Sequence, residues 1–311
     1  MRVIFMGTPE IAVPILEGIA EAGHEIAAVI TRQDAPKGRG KTLLPPPVKV
    51  KALELGLNVL QPAKIWDEAF LDQIRELAPE AAVVAAYGKI LPEELLGIPR
   101  YGCLNVHASL LPAYRGAAPI ERAILNGEKE TGVTIMQMDA GLDTGDMIGQ
   151  ITVPIDPKET AESLTEKLAK AGREGIVRVL ADLPSGMILR VPQEGESSYA
   201  QKIEKEDGRM DFAQPAAVLE RKIRALSPKP GAYAYLQGKQ MKFGAADVVE
   251  CAAGSPGEVV SVGKNDFTIA CGEGGLLVRR LQAEGKKMMD TGAFLRGYAL
   301  KAGETFTSFP Q

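Results

Sequence analysis

The sequence has little that could staple or coordinate. Its three cysteines, Cys103, Cys251 and Cys271, are odd in number and far apart. No Cys-x-x-Cys pair occurs, which speaks against a disulfide framework and a zinc site, and no metal is expected. A reducing, cytoplasmic setting fits that cysteine usage. No apolar run approaches the roughly 18 residues of a membrane span, so no membrane partner is expected. The opening "MRVIFMGTPE" carries one basic residue and a short apolar run. It lacks the longer apolar region and small-residue cleavage site of a signal peptide. "MGTPEIAVP" also lacks the second and third glycines of a dinucleotide fingerprint, and no G-x-x-x-x-G-K-[ST] loop is present. NAD and ATP are therefore poor candidates. No serine sits in a G-x-S-x-G elbow.

What is present is the composition of a globular chain long enough for two domains. The net charge of −4 argues against a general nucleic-acid binder, but it is unevenly divided. Residues 1–208 hold 22 Lys and Arg against 30 Asp and Glu; residues 209–311 hold 14 against 10. A basic C-terminal part on an acidic body suits a polyanionic partner.

Apolar runs alternate with helical patterns in the first half. "RVIFMG" (2–7), "EIAAVIT" (25–31), "AAVVAAY" (81–87) and "GCLNVHAS" (102–109) read as strands. Helices are expected at about 9–22, 67–77 and 117–125, and a long one over 161–182. "GVTIMQMD" (132–139) and "DMIGQITVPI" (146–155) read as a strand pair. This alternation predicts an α/β fold with a mostly parallel, Rossmann-like sheet over residues 1–189. The aperiodic stretch 190–208 reads as a linker. From 209 the texture changes to a short helix and about five short strands with Gly-rich turns, suited to a small barrel of the oligonucleotide-binding kind.

Three polar clusters remain. Asn105 and His107 lie two apart on a strand, so they share a face. At the carboxyl end of a parallel strand they would face the usual ligand crevice. An amide can donate to a developing oxyanion, and an imidazole can move a proton near neutral pH. "DAGLDTGD" (139–146) fails as a calcium loop, because Gly141 and Gln150 stand at ligand positions. It reads either as an Asp/Gly turn or as a carboxylate aimed at the imidazole. The third cluster is the long basic loop "RQDAPKGRGKTLLPPPVK" (32–49), with Lys37, Arg39 and Lys41. His24, in a polar turn, reads as a surface residue.

"IFMGTPEIAVPIL", "GRGK", "AAYGKILP", "LNVHASLLPAYRGAAPIERAILNGE" and "TGVTIMQMDAGLDTGDM" together resemble the methionyl-tRNA formyltransferases over nearly the whole chain. The resemblance implies a formyltransferase domain followed by an OB-like tRNA-binding domain. It implies 10-formyltetrahydrofolate as co-substrate and initiator Met-tRNA as acceptor and partner, in a monomeric cytoplasmic enzyme. It assigns Asn105, His107 and Asp143 to catalysis, Ser109, Leu110, Leu111 and Pro112 to the folate site, and Lys37, Arg39 and Lys41 to the tRNA. The Asn-x-His…Asp core is shared by folate-dependent formyltransferases, so transfer to a small amine such as a sugar nucleotide is the alternative. One departure is a missing Trp in "SPKPGAY" (227–233).

Overall fold

The computed structural model describes residues 1–37, 42–251 and 253–310. Two compact units divide the chain. The first comprises Met1–Pro119, Lys129–Ile155 and Leu164–Gln201; the second takes Ile120–Glu128, Asp156–Ser163 and the chain from Lys202. The stretch expected as a linker is shared out: residues 190–201 fold with the first unit and 202–208 with the second.

The first unit is built on a seven-stranded sheet. Its strands are β1 (Arg2–Gly7), β2 (Glu25–Ile30), β3 (Val59–Leu60), β4 (Ala81–Ala85), β5 (Cys103–His107), β6 (Glu130–Gln137) and β7 (Met147–Pro154). Their spatial order is β7-β6-β5-β4-β1-β2-β3. Strands β1 to β5 run parallel, whereas β6 is antiparallel to both neighbours. This is the Rossmann-like sheet that the alternation of elements implied. β1 and β4 are apolar and buried almost throughout, as strands covered on both faces must be. Helices α1 (Val13–Glu21), α2 (Pro47–Glu54), α3 (Glu68–Glu76) and α4 (Ala161–Asp182) complete the main frame. On α3 the buried residues Phe70, Leu71 and Ile74 form one stripe.

Register places β5 so that Asn105 lies opposite Val84, which lies opposite Met6. These are near the last residues of their strands, so Asn105 and His107 stand at the carboxyl edge of the sheet. The alternation of β5 sends Leu104 and Val106 to one face and Asn105 and His107 to the other. Val106 faces α4. A Cβ on Gly172 of that helix would fall 2.8 Å from Val106 Cγ1, so the helix seats against β5 because residue 172 has no side chain.

The second unit holds a curled antiparallel sheet. It comprises β8 (Ala232–Leu236), β9 (Lys239–Val249), β10 (Val259–Val262), β11 (Phe267–Ala270), β12 (Gly275–Ala283), β13 (Met289–Asp290) and β14 (Phe306–Thr307). The order is β10-β11-β12-β9-β8-β14, with β13 beside β12. Register shifts around Ala245 interrupt the β9–β12 ladder, the kind of bulge that bends a sheet. The result is an OB-like half-barrel. Its core gathers Phe212, Phe243, Phe267 and Phe306, with the last two rings stacked 5.8 Å apart. Helix α5 (Ala216–Leu226) adds Leu219 and Ile223 to the same core.

Among the described residues, no helix is long and apolar enough to cross a membrane. No cluster of three or more His, Cys, Asp or Glu residues suits a metal ion among them.

Two outcomes follow from burial. The Tyr87 side chain is buried in the first unit's core, and its hydroxyl finds no partner among the described residues. Burial pushes its phenol up to about 12. Tyr87→Phe keeps the ring and removes the stranded hydroxyl, and should stabilise the fold by about 1 kcal/mol. Denaturant midpoints check this; a lower midpoint would show that the hydroxyl is satisfied in solution. Burial likewise pushes the Cys103 and Cys271 thiols up to about 12, while Cys251 is partly exposed. At pH 8 an aromatic disulfide reagent should titrate one thiol per native chain and all three after unfolding.

Candidate active site

Asn105 and His107 are 9 % and 6 % exposed, so their polar atoms must be satisfied inside the protein. Unpaired, each would cost about 1–3 kcal/mol. Both side chains find their partners on two segments that fold over the end of β5: the turn Tyr114–Gly116 and the loop 139–146.

Asp143 is the meeting point. Asn105 Nδ2 donates to its Oδ1 at 3.2 Å, and the Gly116 backbone N–H donates to its Oδ2 at 2.8 Å. The same Oδ2 lies 3.6 Å from His107 Nδ1, beyond a hydrogen bond but close for a charge. His107 is held elsewhere. Its Nε2 lies 2.9 Å from the Tyr114 carbonyl oxygen. A carbonyl only accepts, so hydrogen bonding assigns a proton to Nε2 and leaves Nδ1 toward the carboxylate. The resemblance gave Asp143 the task of holding His107. In the structure the Tyr114 carbonyl is hydrogen-bonded to the ring at Nε2, and an Asp143 carboxylate oxygen lies beside its other nitrogen.

Unusual backbone makes this convergence possible. Tyr114 and Asp143 have φ of +60° and +53°, a region that side chains other than glycine rarely adopt. Gly116, at φ +108°, pairs in a short ribbon with Tyr199–Ala200. A Cβ at Gly116 would come 3.0 Å from the Ala200 carbonyl oxygen. The loop 139–146 is drawn tight by Asp139, whose carboxylate accepts from the Gly141 N–H and the Thr144 hydroxyl.

Ser109, Leu110, Leu111 and Pro112 form the turn that leaves β5. Ser109 is fully buried, and its hydroxyl donates to the Ala113 carbonyl at 2.6 Å. The Thr134 hydroxyl donates to the Ser109 carbonyl and accepts from the Leu111 N–H, while Gln150 donates to the Leu111 carbonyl. Ser109 and Leu111 therefore anchor this turn, and Leu110 and Pro112 are its half-buried members. Of the basic loop, Lys37 ends a short strand, Ala35–Lys37, that pairs with Thr42–Leu44. Arg39 and Lys41 lie outside the described residues.

Sequence reasoning missed the Tyr114 carbonyl and the Gly116 N–H, since backbone groups carry no residue signature. It also missed Gln193. Gln193 Nε2 donates to the carbonyls of Asp143 and Gly145, and its Oε1 accepts from Arg115. No periodicity marks that stretch.

The arrangement joins an amide donor, an imidazole with a fixed proton, and a carboxylate, all at the carboxyl edge of a parallel sheet. Residues 1–180 match the family described as formyl transferase, and residues 202–299 match the formyl transferase C-terminal domain. Among solved structures, a sugar 3N-formyl transferase, WlaRD, superposes with a TM-score of 0.67 at 22% identity, covering 92% of this chain and 99% of that one. HypX from Aquifex aeolicus in complex with tetrahydrofolic acid gives a TM-score of 0.67 at 19% identity over 98% of this chain, which is 48% of HypX. These two share the fold. Closer relatives carry more. The methionyl-tRNA formyltransferase of Lachnospira eligens is 50% identical over 97% of this chain and 98% of its own length. That of Geobacter sulfurreducens is 46% identical over 97% and 96%. With both formyl transferase regions matched in order and about half of all residues shared end to end, this chain belongs to the methionyl-tRNA formyltransferase family.

Proposed function

We propose that the protein transfers the formyl group of 10-formyltetrahydrofolate to the α-amino group of initiator methionyl-tRNA, and that Asn105, His107 and Asp143 carry the chemistry. The observation that supports this most is the convergence of Asn105 Nδ2 and His107 Nδ1 on the Asp143 carboxylate. The amine attacks the formyl carbon, negative charge builds on the formyl oxygen, and collapse breaks the bond from the formyl carbon to the folate nitrogen, which leaves with the proton that the amine gives up. An amide nitrogen has two hydrogens. Asp143 takes one from Asn105, which fixes the amide so that the second is aimed at the oxygen where charge develops. With its Nε2 proton held by the Tyr114 carbonyl, His107 offers Nδ1 to the amine's proton. The carboxylate 3.6 Å away stabilises the imidazolium that results.

The turn Ser109–Pro112 lines the folate side, with Ser109 and Leu111 as its anchors. Arg39 reaches the acceptor end of the tRNA, with Lys37 and Lys41 helping through phosphate contacts. Residues 209–311, whose charge balance is positive, grip the tRNA body.

The enzyme, incubated with 10-formyltetrahydrofolate, should place formyl on charged initiator tRNA in preference to a small amine or water. Release of formate alone would overturn the reading. Asn105→Ala should lower turnover by about 100- to 1,000-fold, the usual cost of one oxyanion donor, with the fold intact by circular dichroism. His107→Ala and Asp143→Ala should also lose most turnover. Near-normal turnover in any one of them removes that residue from the mechanism. Arg39→Ala should weaken use of Met-tRNA, by a factor that shrinks as salt rises because one phosphate contact fewer lowers the salt slope, while folate binding measured by fluorescence stays unchanged. Equal loss of both substrates would point to a folding defect instead.

A further inference from the structure

Gln193 uses the whole hydrogen-bonding capacity of its amide. Nε2 donates to the Asp143 carbonyl at 2.9 Å and the Gly145 carbonyl at 2.8 Å. Oε1 accepts from Arg115 Nε at 3.1 Å and Nη2 at 2.7 Å. A primary amide has two hydrogens and two lone pairs, and all four are engaged. The segments it joins, 115–116 and 143–145, are the two that the Asp143 carboxylate also joins through the Gly116 N–H.

One hydrogen bond between two segments acts as a pivot. The carboxylate could keep its contact with Gly116 while the loop swings and the oxygen facing His107 moves away. A second tie, made to the backbone of the residue that bears the carboxylate, removes that freedom. At its far end the loop is tied to β6, where the Gln137 N–H donates to the Asp146 carbonyl, and the Asn105 amide holds the other carboxylate oxygen. Asp143 sits at φ +53°, a shallow region for a side-chain-bearing residue. The Asp139–Thr144 contact closes the loop on itself.

We propose that Gln193 is a positioning residue for formyl transfer: by clamping the Asp143 and Gly145 carbonyls to Arg115, it fixes the Asp143 carboxylate between Asn105 and His107. This rests on the reading that those three residues carry the chemistry. Gln193 meets no reacting atom and acts through Asp143.

The test uses the full-length enzyme with 10-formyltetrahydrofolate and charged initiator tRNA. Gln193→Glu keeps the size and the oxygen that Arg115 needs, but turns an acceptor toward two carbonyl oxygens. Gln193→Ala removes the clamp altogether. Each should lower kcat by about 10- to 100-fold, the cost of a misplacement near 1 Å. The KM for either substrate should stay within about twofold, because the clamp contributes no binding contact. Gln193→Ala added to Asp143→Ala should cost little more than Asp143→Ala alone, since residues acting as a unit are non-additive. Hydrogen exchange in Gln193→Glu should quicken at amides 139–146 and stay unchanged in the sheet.

A kcat for Gln193→Glu within about twofold of the parent overturns the proposal. So does a full further loss in the Asp143→Ala background, or unfolding of both Gln193 variants, which would mark a general structural role. If Asp143→Ala itself turns over normally, the catalytic reading falls and the positioning role with it. If Asp143→Ala is inactive and Gln193→Glu is active, only the positioning role falls.

Discussion

A strand buried on both faces carries an amide and an imidazole, and the surrounding structure answers the need to pair them. Apolar neighbours could not do so. Asn105 and His107 reach a carboxylate and a carbonyl brought in from elsewhere in the chain. Because water is largely excluded there, each of these contacts is stronger than it would be at the surface, and each would be more costly to lose. The demand for satisfaction and the demands of the proposed chemistry coincide. The groups that pair the buried atoms are also the ones that fix a donor and assign a proton.

The pairing is achieved at a cost in backbone conformation. A tyrosine in the left-handed region is disfavoured by about 1 kcal/mol or more. Here it turns a carbonyl onto the imidazole, while the residue two further on turns an N–H onto the carboxylate. Strain at Tyr114 and Asp143 is thereby concentrated beside the candidate chemistry. The mostly parallel sheet of the first unit holds these turns in place.

Much of the frame was legible from periodicity. The long helix Ala161–Asp182 and the buried strands showed their patterns because packing against a core imposes them. Asn105 and His107 were legible as a pair because two-residue spacing puts side chains on one face. Helix α2 was hidden inside a proline-rich stretch that reads as loop, although proline is well tolerated at a helix's first position. The partners of His107 and Asp143 were hidden for a different reason. A backbone carbonyl belongs to every residue, and an approach such as that of Gly116 to Ala200 exists only once the chain is folded. Gln193 lay in a polar stretch whose structure comes from individual hydrogen bonds, and such bonds leave no repeat in the sequence.

The near contact of Gly172 with Val106 makes β5 a partition one backbone thick. On one side are the amide and imidazole, and on the other a helix with no slack against the strand. Volume added on the helix side has no empty space to enter. It can only be passed through the partition as a displacement of the polar groups on its opposite face. The tolerances of the candidate site are therefore set partly by size alone, at a helix position that contributes no polar atom to it.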